Sequence, residues 1–112
     1  MNRKKAKKFY RMAADRGFAE AQDYIGRILH KGQAFEAWGR GDSSEEGFGY
    51  LALAAKQGYT PSECDVGLCY FRGTGVEIDL DQSFFWYSRA AAKGWERAKK
   101  ALEDKEFGPR IS

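Results

Sequence analysis

The sequence predicts an all-α protein of about six helices, built from helical hairpins that repeat along the chain. The main observation is a motif that occurs three times, as "AADRG" ending at Gly17, "AAKQG" ending at Gly58 and "AAAKG" ending at Gly94. These glycines are 41 and 36 residues apart, which is the period of a helical repeat array. Other residue types fall into columns in the same register, so the repeat extends beyond the motif itself.

One column is aromatic and another is small. The aromatic column contains Phe9, Tyr50 and Trp86, and the small column contains Ala6, Gly47 and Ser83. Small residues let two helices approach closely, and we expect the aromatic side chains to fill the space between hairpins.

Local signals place the helices near residues 3–16, 19–31, 44–57, 61–72, 80–93 and 95–106. "TPSE" predicts a helix start, with Thr60 as N-cap and Glu63 as the acid of a capping box. Asp79 or Asp81 is expected to cap the fifth helix, after a turn made by glycines.

The columns, and above all "VGLCYFRGTGVEIDLDQSFFWYSRAAAKG" at residues 66–94, resemble the Sel1-like repeat, which is related to the tetratricopeptide repeat. The resemblance implies an αα-hairpin solenoid wound as a right-handed superhelix. It divides the chain into a half-unit (1–17), a repeat with the loop insertion "KGQAFEAWGRGDSS" (18–58), a repeat (59–94) and a terminal helix (95–112).

Composition is that of a soluble globular protein, with 43% hydrophobic and 31% charged residues. No apolar stretch reaches the roughly 20 residues that span a bilayer, and the basic start is not followed by a signal-peptide-like segment. We therefore expect a cytoplasmic protein of bacterial type, or a periplasmic one if a leader has been removed.

Metal, cofactor and catalytic signals are absent from the sequence. Cys64 and Cys69 lie on different faces of a predicted helix, so a disulfide is not expected. One histidine, His30, cannot form a local zinc site with them. The nucleophile, zinc-protease and P-loop spacings are missing too, so we expect a protein that is not an enzyme and needs no metal or cofactor.

The resemblance also implies that the first helix of each hairpin lines a concave surface. Helix periodicity then directs a set of side chains outward as a candidate partner-binding site: Asp23, Arg27, His30, Cys64, Leu68, Phe71, Arg97 and Lys100. An apolar patch flanked by charge is typical of a groove that binds a hydrophobic anchor. Leu68 and Phe71 could instead belong to the core. Trp38, in the loop insertion, could pack onto the hairpin or contact a partner.

These observations predict a non-enzymatic module that binds a protein or peptide, as an adaptor, a scaffold or a regulator that sequesters one target. Uncovered faces at the two ends slightly favour a weak homodimer.

The alternative is an electrostatic site on the first helix, because residues 1–16 hold seven Lys or Arg against one acid. Such a patch could attract nucleic acid or an anionic surface. Nucleic acid is the less favoured partner, because the patch lacks interleaved aromatics and a recognition-helix motif. Its candidate residues are Arg3, Lys4, Lys5, Lys7, Lys8 and Arg11.

Overall fold

The structure, a computed structural model, describes residues 3–30 and 44–103, with side chains described for residues 8–29 and 44–103. This part of the chain forms six α-helices and no β-strand. The helices are α1 (Arg3–Asp15), α2 (Ala19–His30), α3 (Ser44–Lys56), α4 (Thr60–Arg72), α5 (Leu80–Ala92) and α6 (Glu96–Leu102). Consecutive helices pack against each other. The predicted all-α hairpin solenoid is confirmed; the loop insertion with Trp38 lies outside the described residues.

The repeated AAxxG motif makes the same turn three times. Gly17, Gly58 and Gly94 have φ angles of 94°, 87° and 89°, a region that glycine adopts without a steric penalty. After each glycine a backbone N–H returns to the helix that has just ended, as in the bond from Phe18 N to Ala13 O at 3.1 Å. This geometry joins α1 to α2, α3 to α4 and α5 to α6.

The start of α4 differs from the prediction. Tyr59, rather than Thr60, is the N-cap, and no side chain caps the helix. Glu63 is fully buried and pairs with Arg89 of α5 and with Lys93, just beyond that helix, so the predicted capping box is wrong. Two cations satisfy this carboxylate better than a backbone N–H at the helix start. At α5 the predicted aspartate cap is confirmed, because the side chain of Asp79 accepts a hydrogen bond from Gln82 N at 3.1 Å.

Within the described part of the chain, three apolar clusters form the core along the array. The first lies between α1 and α2 and contains Ala14, Ile25 and Leu29, with Tyr50 of α3 packed against it. The second lies between α3 and α4 around Leu51 and Val66, with Trp86 of α5 packed against it. The third joins α4, α5 and α6 and contains Cys64, Tyr87, Ala90 and Ala98. Each repeat therefore covers the one before it.

The aromatic column fills this seam at two of its three positions. Tyr50 and Trp86 are half-buried against the preceding clusters. Phe9 is 63% exposed, so the expectation that it packs between hairpins is wrong. The physical reason is that the described residues contain no helix before α1 for Phe9 to cover.

Candidate functional site

A buried carboxylate joins the first helices of two successive hairpins. Asp23, on α2, is 1% exposed. Ser62 Oγ, on α4, donates a hydrogen bond to Asp23 Oδ1 at 2.8 Å. Arg27, one turn further along α2, places Nε 2.9 Å from Asp23 Oδ2. Because both carboxylate oxygens have a partner, Asp23 holds α2 against α4 and fixes the guanidinium of Arg27 on the surface.

A second carboxylate, Asp65, lies beside Asp23 and is hydrogen-bonded to it. Desolvation by burial and the charge of Asp23 raise the pKa of Asp65 to about 7, against the opposing effect of Arg27 and Arg97. A negative charge on Asp65 is unfavourable here, because the group is desolvated and lies beside a second carboxyl group. Asp65 therefore changes its charge near neutral pH.

Arg97, on α6, adds a second arginine to this group of charged residues. It is exposed, and its charge acts on both Asp65 and Cys64. The row thus runs from Arg27 on α2, through the paired carboxyls, to Arg97, crossing the three first helices of the hairpins. We call these four residues, Arg27, Asp23, Asp65 and Arg97, the charged row.

The two cysteines next to the charged row are free and buried. Burial raises the pKa of Cys64 to about 11 and that of Cys69 to about 12, and the charge of Asp65 acts in the same direction. Both thiols are therefore protonated at neutral pH, whereas a nucleophilic cysteine needs a lowered pKa. Their contribution is packing.

An apolar patch lies on α4, beside the charged row. Leu68 and Phe71 are half-buried and pack against the cluster around Tyr87 and Ala98. Part of each side chain faces solvent and part belongs to the core, so the predicted core packing is present and the role in partner binding stays a prediction. A half-exposed apolar patch next to fixed charges is suited to hold an apolar side chain of a partner in one orientation.

The predicted site residues divide into three groups. Arg27, Arg97 and Lys100 are exposed, as expected. Asp23 and Cys64 were expected to point outward, and this is wrong: they are 1% and 8% exposed. Asp23 is buried against Ser62 of α4, and Cys64 is buried in the cluster that contains Tyr87, Ala90 and Ala98. His30 ends α2, and its side chain lies outside the described residues.

The basic patch on α1 is only partly described. Lys8 is exposed. Arg11 is engaged, since its Nη2 lies 3.0 Å from Glu46 Oε1 and its guanidinium lies over the ring of Tyr50 at 6.0 Å. Arg3, Lys4, Lys5 and Lys7 lie on the helix, but their side chains are outside the described set. Arg11 therefore serves the contact between α1 and α3.

Sequence reasoning missed Asp65 and assigned Glu63 to another role. A signal for Asp65 was present, because it lies three residues after Ser62 and three before Leu68, and so on one stripe of α4 with them. For Glu63 the signal was its position in the repeat, which is occupied by a buried residue in the preceding unit as well. Glu63 and Gln22 occupy equivalent positions 41 residues apart, and both are buried.

No metal site accompanies this arrangement in the part of the chain that the structure describes. Over residues 3–30 and 44–103, no group of three or more His, Cys, Asp or Glu side chains is placed to hold a metal ion. Over the same ranges no helix combines the length and apolar character required to cross a bilayer.

The helices and the charged row define the class of protein, an array of αα-hairpins with a polar and apolar surface along its first helices. The family model of the Sel1 repeat matches residues 2–18, 19–59 and 60–95. The chain belongs to the Sel1 repeat family, whose members are in general protein–protein interaction modules and not typically enzymes.

Curated relatives are much longer than this chain. DAP3-binding cell death enhancer 1 from Mus musculus is 32% identical over 100 residues, covering 89% of this chain and 18% of that protein. Chitin synthase regulatory factor 3 from Schizosaccharomyces pombe is 36% identical over 62 residues, covering 55% of this chain and 7% of that protein. The chain thus spans less than a fifth of the length of these relatives.

Two solved structures have the same architecture. A Sel1 repeat protein from Oxalobacter formigenes has a TM-score of 0.77 and 32% identity, covering 88% of this chain and 71% of that chain. The protective antigen c5321 of uropathogenic Escherichia coli strains, which displays an SLR fold, has a TM-score of 0.72 and 32% identity, covering 91% of this chain and 20% of that chain.

Proposed function

We propose that the chain is a non-enzymatic adaptor or target-binding module that holds a peptide or protein segment on the surface formed by α2, α4 and α6. The observation that carries the proposal is the charged row beside a half-exposed apolar patch. Arg27 and Arg97 offer guanidinium groups at its two ends, and Leu68 and Phe71 lie between them along the array.

The chemistry of this surface suits binding rather than catalysis. The thiols of Cys64 and Cys69 stay protonated at neutral pH, because burial raises both pKa values. Both oxygens of Asp23 are bonded, one by Ser62 and one by Arg27, so this carboxylate holds two helices together. The name of the mouse relative states that it binds DAP3, which supports protein binding as the type of function without naming a partner for this chain.

The partner segment should be apolar at one position and carry acidic groups on either side. Arginine binds carboxylates in two-point contacts and accepts burial better than lysine. Arg27 is already positioned by Asp23, so less side-chain entropy is lost when a partner carboxylate binds it. This arrangement favours an extended or helical segment that crosses α2, α4 and α6 in turn.

Affinity capture from native lysate, followed by mass spectrometry, tests the proposal when it is run in parallel with a variant that lacks the guanidinium of Arg97. Arg97→Gln keeps much of the length of the side chain and removes its charge. A protein partner captured by the wild type and depleted by this variant supports the surface. A set of captured proteins that is identical for the two baits contradicts it.

Phe71→Ala should weaken binding of that partner at least about tenfold, which is about 1.4 kcal/mol. It should also cost roughly 1 kcal/mol of stability, because Phe71 is half-buried against the core. Titration calorimetry with the purified partner measures the first effect, and thermal melting measures the second.

Phe85→Ala is the matched control for this prediction. Phe85 is 50% exposed and lies on α5, where it contacts Trp86 and Arg89 rather than the charged row. Its removal should leave affinity within about twofold, as expected for a residue outside the interface. Equal loss of affinity in the two variants would place the interface elsewhere.

A further inference from the structure

Among the residues that the structure describes, nothing covers one face of α1, although the equivalent faces of α3 and α5 are covered. These three helices start at residues 3, 44 and 80, which are the repeat spacings of 41 and 36. Helix α3 packs on α2, and α5 packs on α4. The corresponding side of α1 carries Phe9, which is 63% exposed, whereas the equivalent residues Tyr50 and Trp86 are half-buried. The covered pairs therefore show what kind of helix this face accepts.

A helix that covers this face, as α2 covers α3 and α4 covers α5, must first of all carry a glycine at the point of contact. A Cβ added to Gly26 of α2 would lie 2.7 Å from Leu51 Cγ of α3, and one added to Gly67 of α4 would lie 3.0 Å from the ring of Tyr87 of α5. Leu51 and Tyr87 are equivalent positions, and Tyr10 occupies that position on α1. A helix that covers Tyr10 at the same distance must also place glycine there.

The second requirement is a polar side chain four residues before that glycine. Gln22 of α2 accepts a hydrogen bond from Gln57 Nε2, just beyond α3, at 2.8 Å. Glu63 of α4 forms an ion pair with Lys93 Nζ, just beyond α5, at 3.0 Å, and Nζ also donates to the carbonyl of Gly58 at 2.7 Å.

The residue after α1 that corresponds to Gln57 and Lys93 is Arg16. It is exposed, and a cation here calls for a carboxylate on the covering helix. The strong positive charge of residues 1–16 favours an acidic helix as well.

We propose that the open face of α1 binds an acidic helix of a partner protein, which carries a glutamate four residues before a glycine. The glycine lies against Tyr10, the glutamate pairs with Arg16, and apolar side chains of the partner cover Phe9. This surface is separate from the charged row, and the proposal does not depend on binding there.

A second copy of the chain does not meet these requirements through its α6. In the alignment of the repeats, Lys99 is equivalent to Glu63, and Glu103 is equivalent to Gly67. In an end-to-end stack Lys99 would face Arg16, and the side chain of Glu103 would meet Tyr10. Like charge and steric overlap therefore both disfavour that assembly.

A synthetic peptide with the sequence of residues 60–75 is a suitable probe, because it contains Glu63 and Gly67 in the required spacing. Fluorescence anisotropy of the labelled peptide, with the full chain as titrant and a reductant present, measures binding. The matched control peptide carries Glu63→Lys and Gly67→Glu, the residues found in α6 and directly after it. We expect saturable binding of the first peptide and at least about tenfold weaker binding of the second.

Exchange of charge between the protein and the peptide distinguishes this specific contact from nonspecific binding. Arg16→Glu in the protein should weaken the parent peptide about fivefold or more, and a peptide with Glu63→Lys alone should recover most of that loss on this variant. Arg16 is exposed, and circular dichroism checks that the variant is folded. Lack of saturable binding by the parent peptide, equal binding by the two peptides, or no recovery on charge exchange would overturn the proposal.

Discussion

Trp86→Ala should lower the free energy of unfolding by about 3 kcal/mol, the usual cost of removing a large aromatic from packed surroundings. Trp86 packs against the cluster around Leu51 and Val66, in the seam between two hairpins. The guanidinium of Arg89 lies 5.7 Å from its ring centroid, and this contact is lost as well. Urea unfolding followed by circular dichroism measures the effect, because helix content reports the whole array.

Phe9→Ala is the control that the repeat itself provides. Phe9 occupies the same column as Trp86 but is 63% exposed, so its removal should change stability by less than about 0.5 kcal/mol. If the two variants lose equal stability, the seam does not depend on this aromatic column.

Asp65→Asn should stabilise the protein by roughly 2 kcal/mol at pH 8. Desolvation and the neighbouring Asp23 raise the pKa of Asp65 to about 7, and a pKa that differs by one between the folded and unfolded protein corresponds to about 1.36 kcal/mol. The whole difference in pKa would give roughly 4 kcal/mol, and about half of this is expected because Asp65 is partly exposed and solvent screens its charge. Asparagine keeps a hydrogen-bond donor toward Asp23 and carries no charge.

The direction of the pH dependence follows from linkage. The folded state holds the proton of Asp65 up to about pH 7, whereas an unfolded aspartate releases it near pH 4, its ordinary pKa being about 3.9. Stability from this group is therefore fully present below about pH 4 and is lost as the pH rises to about 7. Ionisation above that pH leaves two negative groups side by side between α2 and α4.

Thermal melts of the wild type and Asp65→Asn from pH 5 to pH 8 test this account. The two curves should separate as the pH rises, with the variant more stable at pH 8. Glu77→Gln removes an exposed carboxylate away from the pair and should run parallel to the wild type. Parallel curves for Asp65→Asn and the wild type would mean that the fold does not raise the pKa of Asp65.

Periodicity predicted the helices well because the signals are local. The AAxxG turns, the glycines after α4 and the aspartate cap of α5 depend on a few neighbouring residues, and the structure contains all of them. The alanine positions next to the turns are buried, as with Ala54 and Ala90. Helix boundaries therefore differ from the predicted ones by at most one residue, except that α6 ends at Leu102 rather than at residue 106.

The site was harder to predict because it depends on how far each helix is rotated and how closely its neighbours approach. Asp23 and Cys64 lie on the expected stripe, yet Ser62 and Trp95 approach closely enough to bury them. The pKa of Asp65 is raised by burial and then by Asp23, which is 42 positions earlier in the chain. Phe9 could not be placed from its column alone, because burial depends on a helix that is not among the described ones.

The affinity of the captured partner for two double variants tests most directly whether binding uses the α2, α4 and α6 surface. Arg97→Gln/Lys100→Gln neutralises two exposed cations on α6, and Lys5→Gln/Lys8→Gln makes the same charge change in the basic patch of α1. Titration calorimetry at fixed salt should show affinity at least about tenfold weaker for the first variant and within about twofold of the wild type for the second. The reverse order would contradict the proposal and assign partner binding to α1.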